Sequence, residues 1–514
     1  MEKIRSAPRP VLILLGVLVF TAGAILLLRL VLSISHLAET GGVSVNVAYG
    51  IVRVLEGLPL YSNPELPPFA IIQYMPLHYR LVELLALLFN LEGNPHAIVT
   101  LNRLVCLAID LSSCFLLWRL FNTHFRTGKL WSSILTLVLF TSIPAVAYAR
   151  VDNLYLFFFI ATVSVMLKAL HSQDRGESAK HNLFLAAGAL AAGCLLSKQT
   201  GLFLIFFCGV YLLIIRRDLL STLRFSAGLI LTLLLAGPLL VQSGWEELYL
   251  NVVNGVRNGT SITWFKEVIL KNFFLKYSFL IAAGLLTGFQ LLVKEEKSKE
   301  GLFIGAGIAF TFCVATMSAF KAGSGTNYFL DFIVLFLMGV AWLNHRQRLT
   351  LNSLAPYAIA LLPFYMIASA NDRGWGDLPG MRTARKNYRL SEKAAGYVLA
   401  RTGKDQWALA LFHKENHINL LLGGKALFPC REVALQYTRP LGVFQFKAFG
   451  GLMRDGKIPY LITHRKKPPV KIADEELSDY VPDTLFGPFK VYRWDPAAAD
   501  SIAASTTQED VPAN

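Results

Sequence analysis

Apolar runs long enough to cross a bilayer recur along most of this chain, and they limit its fold more than any other feature. A helix spanning a hydrocarbon core of about 30 Å needs roughly 20 apolar residues. Runs at 11–34, 97–121, 130–149, 153–170, 183–197, 201–215, 225–242, 273–293, 302–320, 327–343 and 351–368 reach or approach that length. A further run at 77–91 is shorter and is interrupted by Arg80 and Glu83, which makes it a doubtful span. Since hydrocarbon offers no partner for backbone N–H and C=O groups, each segment must satisfy its own as a helix. The expectation is an all-α polytopic membrane helix bundle of about 11–12 transmembrane helices.

Charge patterning orients the bundle. The 514 residues are 16% charged with a net charge of +15, against about 25% charged in soluble domains. The bases lie in short patches between apolar runs, which argues against nucleic acid and for cytoplasmic loops. With Lys3, Arg5 and Arg9 inside, the patches Arg119/Arg126/Lys129, Lys168/Arg175/Lys180, Arg216/Arg217/Arg224, Lys294/Lys297/Lys299 and Arg346/Arg348 recur after every second span. One assignment therefore places them all in the cytoplasm, in a multi-pass protein of the cytoplasmic (inner) membrane. Residues 35–76, 150–152, 198–200, 243–272, 321–326 and those beyond 370 then lie outside. Parity makes 77–91 a re-entrant or interfacial helix. Five of six cysteines sit in apolar runs, so neither a disulfide framework nor a zinc spacing follows.

Three regions result: a membrane domain at 1–370 with a first outer loop at 35–76, a soluble extracytoplasmic α/β domain at 371–496, and a small, polar, disordered tail at 497–514. Within the second region 408–412, 460–463 and 489–492 read as strands and 391–401 as a helix. Residues 244–272, with Trp245, Tyr249 and Trp264 among charges, read as an interfacial amphipathic stretch.

Chemistry is most legible where the charge rule is broken. Arg150, Lys198 and Lys321 lie at the expected outer mouths of spans, within the polar clusters 148–153, 197–201 and 320–328. Three cations on one face could clamp a phosphate whose lipid tail stays in the bilayer; each could instead snorkel or pair locally, as Arg150 might with Asp152. Asp152 could orient a divalent metal ion, a sugar hydroxyl or a nucleophile, or simply cap the helix that follows it. The cofactor requirement stays unknown, a divalent metal ion included. Asp110, inside a span with Arg103 two turns back, reads as half of a structural pair with another helix. Glu415, His417 and Asn419 alternate near a strand edge and read as solvated.

The first outer loop carries the most distinctive string: Glu39, an interfacial helix at 43–55 containing Asn46, Gly57 to Tyr61, and Tyr74-Met-Pro-Leu-His-Tyr79, and its many tyrosines and prolines read as a segment lying on the bilayer. With Arg150-Val-Asp152, Lys198-Gln-Thr and Lys321 through Asn327-Tyr328, it resembles the C-type (GT-C) glycosyltransferase superfamily. That superfamily includes protein O-mannosyltransferases and aminoarabinose transferases. The resemblance runs over roughly residues 10–370 and rests on the order and sidedness of short motifs. It implies a GT-C-like bundle and transfer of a sugar, with inversion, from a polyprenyl-phosphate donor to a glycan, lipid or protein acceptor on the outer face. It also implies a carboxylate in the first loop as general base, and cations near the interface that offset charge on the departing phosphate. On that basis Glu39 and Asp152 are the catalytic candidates, and Arg150, Lys198 and Lys321 would bind the donor phosphate. Asn46, Tyr61, Tyr74, Asn327 and Tyr328 would position the loop or acceptor. The sequence departs from the family at 43–46, where the usual acid is missing. A transporter or flippase of a lipid-linked sugar, or a non-catalytic relative, is the alternative; the lack of internal repeats and the gathering of polar residues at one mouth favour surface chemistry.

Overall fold

The computed structural model describes residues 9–37, 44–143, 149–176, 182–294, 298–346, 378–411, 417–430, 432–464 and 480–495. The expected span at 351–368, Glu39, Glu415 and the tail at 497–514 lie outside the described residues.

Among these residues six helices are long and apolar enough to cross a membrane: Leu12–Ser33, Pro95–His124, Asp152–Asp174, Leu219–Pro238, Lys299–Ala319 and Thr326–His345. The run expected at 273–293 is a bent pair, Ile262–Leu275 and Ser278–Val293, meeting at 69°; taken as one broken span it is a seventh. Shorter apolar helices, Lys129–Ser142, Asn182–Ser197 and Gly201–Ile215, occupy three more of the expected positions. The doubtful run at 77–91 forms Leu77–Leu88, only 12 residues long and so well short of a bilayer crossing.

Packing follows composition. Phe20, Leu234, Leu235 and Phe289 stay exposed on the outside of the bundle, the surface that lipid would cover. The Thr326–His345 helix is buried on every side from Leu330 to Leu343 and forms the axis of the main core. Asn182–Ser197 is rich in Ala and Gly, and Gly188 faces the Phe225 carbonyl while Gly228 faces that of Leu185; a Cβ at either would overlap the opposing backbone. Small residues of this kind let membrane helices approach backbone to backbone.

One buried ion pair ties this bundle together. Arg29 Nη2 lies 2.7 Å from Asp110 Oδ2, and Asn153 Nδ2 donates to both Asp110 oxygens at 2.8 and 2.7 Å. Asp110 is therefore a structural pair with another helix. Its partner is Arg29 on the first span, whereas Arg103 caps the end of that span by donating to the carbonyls of Leu32, Ser35 and Leu37.

A second core lies beyond the bundle. Strands β1 (Ala408–Leu411), β2 (Tyr460–His464), β3 (Tyr480–Phe486) and β4 (Phe489–Trp494) form a sheet in the order β1-β2-β4-β3. β1 and β2 are parallel, and the other two pairings are antiparallel. The helix Leu378–Leu399 packs on this sheet. Edge strand β3 escaped the sequence reading because Pro482 and Asp483 interrupt its alternation, at the irregularity between Pro482 and Thr484. The first loop belongs to this core. The helix Ser44–Leu55, expected at an interface, buries Val47, Tyr49 and Ile51 completely. Phe69 stacks on Phe428 at 4.8 Å, Glu56 accepts from Gly424 N at 2.8 Å, and Glu65 accepts from the N–H groups of Gln445 and Phe446. The loop is thus held between the bundle and the α/β unit, and Glu56 is spent on that contact.

Candidate active site

Three breaks in the bundle meet at one end. Asp152 begins the helix Asp152–Asp174, Lys198 sits in the reversal between Asn182–Ser197 and Gly201–Val210, and Asn327 lies in the single turn Thr326–Phe329 before the axial helix. The reversal is tight: Gly201 N donates to Lys198 O at 2.9 Å, and a Cβ at Gly201 would sit 2.5 Å from Leu195 N. Only glycine permits the chain to turn there and leave Lys198 facing inward.

Lys198 Nζ lies 2.6 Å from Asp152 Oδ1, and Asn327 Nδ2 donates to the same oxygen at 2.6 Å. The other oxygen, Asp152 Oδ2, is buried with no hydrogen-bond partner among the described residues. The Lys198 ammonium also lies 4.8 Å from the centre of the Tyr328 ring and 5.8 Å from that of Tyr155. Burial alone would pull this ammonium down, but Asp152 and the tyrosines hold it above the usual lysine range.

Lys321 stands close by on the loop after Lys299–Ala319. Its backbone bridges to Thr260, while no described carboxylate pairs with its ammonium. Burial, helped by the Lys198 charge, pulls Lys321 down to about 8. A second cation near the first, largely withdrawn from water, is the environment in which an anion is most strongly favoured.

The first loop closes the remaining side. Tyr61 is buried and its hydroxyl donates to Tyr74 O at 2.8 Å. Burial pushes Tyr74 up to about 12, with Arg150, Asp152, Lys198 and Tyr328 all near enough to act on it. Gln199 Nε2 donates to Gln73 O at 3.2 Å, and Asn251 both accepts from Ile72 N and donates to Ser62 O. The stretch 244–272, expected at an interface, thus also pins the first loop. Arg150 N donates to Asn153 Oδ1 at 3.3 Å, which places Arg150 beside Asp152. Asn46 sits half-buried in the first turn of Ser44–Leu55. His417 and Asn419 do not form a site: His417 meets His36 O at 3.1 Å and Asn419 donates to Pro429 O.

A cavity opens from this cluster. Lys198, Asn327, Tyr328 and Asp331 line its polar end, and Phe159, Phe207, Phe310 and Leu335 line its apolar end. Asp331 was not foreseen. It accepts from Tyr155 Oη at 2.5 Å, and its signal, one acid four residues after Asn327 inside an otherwise apolar run, is faint. The described side chains grouped so as to hold a metal ion, His124, His171 and Glu300, are not here. His171 is 19 residues along the helix from Asp152, a rise of about 28 Å.

No family model matches the sequence, and no curated protein matches it. Comparison with solved structures shows a shared fold. ArnT, the aminoarabinose transferase of Cupriavidus metallidurans, solved bound to undecaprenyl phosphate, matches with a TM-score of 0.58 at 13% identity, covering 94% of this chain and 99% of that one. Its apo form matches with a TM-score of 0.56, also at 13% identity, over 93% and 97%. An oligosaccharyltransferase of Archaeoglobus fulgidus, solved with zinc and sulfate, aligns with a TM-score of 0.48 at 10% identity, over 87% and 68%.

Proposed function

We propose that this chain is a membrane glycosyltransferase that moves a sugar from a polyprenyl-phosphate donor to an acceptor at the outer face of the cytoplasmic membrane. The observation that carries this reading is the cavity with the buried Lys198 ammonium at its polar end, a second buried ammonium, Lys321, near that lysine, and aromatic and aliphatic side chains along the cavity's depth. A lipid phosphate offers both halves of the complement, and the solved ArnT complex holds undecaprenyl phosphate. The positive-inside pattern puts this end outside.

In the proposed reaction an acceptor hydroxyl attacks the anomeric carbon from the face opposite the phosphate. A new C–O bond forms, the anomeric C–O bond to phosphate breaks, and the polyprenyl phosphate leaves with the electron pair. Inversion follows from the single displacement. Lys198, Lys321 and Arg150 offset the charge that grows on the leaving phosphate. Asp152 orients Lys198 through Oδ1, and its unpartnered Oδ2 can accept a sugar hydroxyl. Pairing with an ammonium weakens a carboxylate as a base, so the acceptor proton goes to Glu39. Asn46, Tyr61 and Tyr74 position the loop, while Asn327 and Tyr328 hold Asp152 and Lys198 in place.

The test is transfer in membranes containing the full chain, supplied with a panel of polyprenyl-phosphate-linked sugars. Release of polyprenyl phosphate that stops in Glu39→Gln while donor binding persists supports the reading. Unchanged turnover in both Glu39→Gln and Asp152→Asn would overturn the assignment of the chemistry to this end.

A further inference from the structure

At the opposite end of the bundle three spans finish against one another. His124 closes the π-helical turn Leu120–His124, His171 lies in the last turn of Asp152–Asp174, and Glu300 lies in the first turn of Lys299–Ala319. Glu300 Oε1 is 2.7 Å from His171 Nδ1 and 3.4 Å from His124 Nε2. One ligand atom from each side chain lies within 4.8 Å of the other two. Trp342, on the axial helix, donates from Nε1 to Glu300 Oε2 at 3.3 Å and so turns Oε1 toward the histidines.

We infer that His124, His171 and Glu300 form a binding site for a zinc-class divalent cation that ties these three spans together. The donor set is two imidazoles and one carboxylate, the nitrogen and oxygen ligands that suit zinc. Metal–ligand bonds of about 2.0–2.2 Å place tetrahedral ligand atoms roughly 3.3 Å apart. The His124–Glu300 separation is already there. His171, whose side chain is 41% exposed, has the freedom to open its shorter contact by that amount. His124 Nε2 is buried and, among the described residues, has no hydrogen-bond partner of good geometry, with Glu300 Oε1 at 3.4 Å, so a ligand atom points into the cluster.

The surroundings agree in sign. Both histidines sit at helix C-termini, where carbonyl dipoles favour a cation, and Glu300 sits at a helix N-terminus, where its own charge is favoured. Lys299, next to Glu300 in the chain, is paired with Asp174 at 2.6 Å. Trp342 plays the part of an outer-shell donor that fixes the ligating carboxylate. His124 and His171 are 47 residues apart, and Glu300 follows 129 later; no short motif announces the set, and the bundle alone assembles it. At about 28 Å along the helix from Asp152, the ion would act on the packing of the spans and not on the transfer.

The experiment uses the full chain in detergent or nanodiscs, stripped with a chelator and titrated with zinc chloride, bound metal being counted by mass spectrometry and stability read by thermal melting. One zinc per chain with a raised Tm is expected. His171→Ala, at a half-exposed position that should not disturb folding, loses the ion and the Tm rise. Trp342→Phe weakens zinc by about tenfold. X-ray absorption at the zinc edge should show only nitrogen and oxygen neighbours. No zinc in the wild type, equal zinc in wild type and His171→Ala, or a sulfur ligand would each overturn the inference.

Discussion

Two buried carboxylate–cation pairs, set close together in the same bundle, do different things. Asp110 accepts from Asn153 through both oxygens and faces Arg29 across the first span. Asp152 shares one oxygen between Lys198 and Asn327 and leaves the other buried and unpartnered beside a cavity. Asn153 stands between them: its amide nitrogen serves Asp110, and its oxygen accepts from the backbone N–H of Arg150, two residues before Asp152. In the first pair both carboxylate oxygens are partnered, and the pair holds helices. The second is incomplete, lies next to the buried ammonium of Lys321, and is poised to take a ligand. An unpartnered carboxylate oxygen beside a cavity, more than burial or charge itself, separates site from staple here.

The strongest way to break this contrast is to remove one partner of the first pair. Arg29→Met should leave Asp110 without its counter-charge in a low-dielectric core, costing about 3–5 kcal/mol. Thermal melting or the yield of folded protein would show it. If Arg29→Met instead melts normally and fails only in transfer, the two pairs have been assigned the wrong way round.

Next in size, Lys198→Met and Lys321→Met should each weaken polyprenyl-phosphate binding by about tenfold to a hundredfold, the worth of a charge-assisted hydrogen bond. The Tm of Lys321→Met should stay close to the wild type, because among the described residues its ammonium pairs with no carboxylate. Lipid titration by native mass spectrometry measures the first quantity.

The pH dependence sharpens the contrast further. Lys321, pulled down to about 8 mainly by burial, is charged below that pH and neutral above it. Phosphate affinity should therefore fall as pH rises through about 8. Lys321→Arg, which stays protonated, should flatten that fall; a wild-type profile that is flat from pH 7 to 9 would contradict the assignment. The smallest effect expected is that of Tyr61→Phe, which removes the hydrogen bond to Tyr74 O and should cost about 0.5–1.5 kcal/mol of stability.

Much of this was readable from the amino-acid order, and for physical reasons. Lys198 and Lys321 stood out because bases are scarce at outer mouths of spans, and the structure brings them together. Asp110 was readable as a structural pair because an acid inside a span needs a partner. Its partner was not, since Arg29 lies 81 residues away and only helix packing joins them. The same limit hid Asp331, whose role depends on Tyr155 arriving from another helix. The first loop was read as a membrane-surface segment from its tyrosines and prolines. Those same residues instead supply the core shared with the α/β unit, because an amphipathic helix carries no mark of which apolar surface will cover it.

The central claim, that the cavity beside Asp152 holds a lipid phosphate, is tested most directly by titrating undecaprenyl phosphate into the purified full chain and into its Lys198→Met variant. Saturable one-to-one binding by the wild type, lost by at least about tenfold in the variant, is the predicted result. Equal binding by both proteins would contradict it.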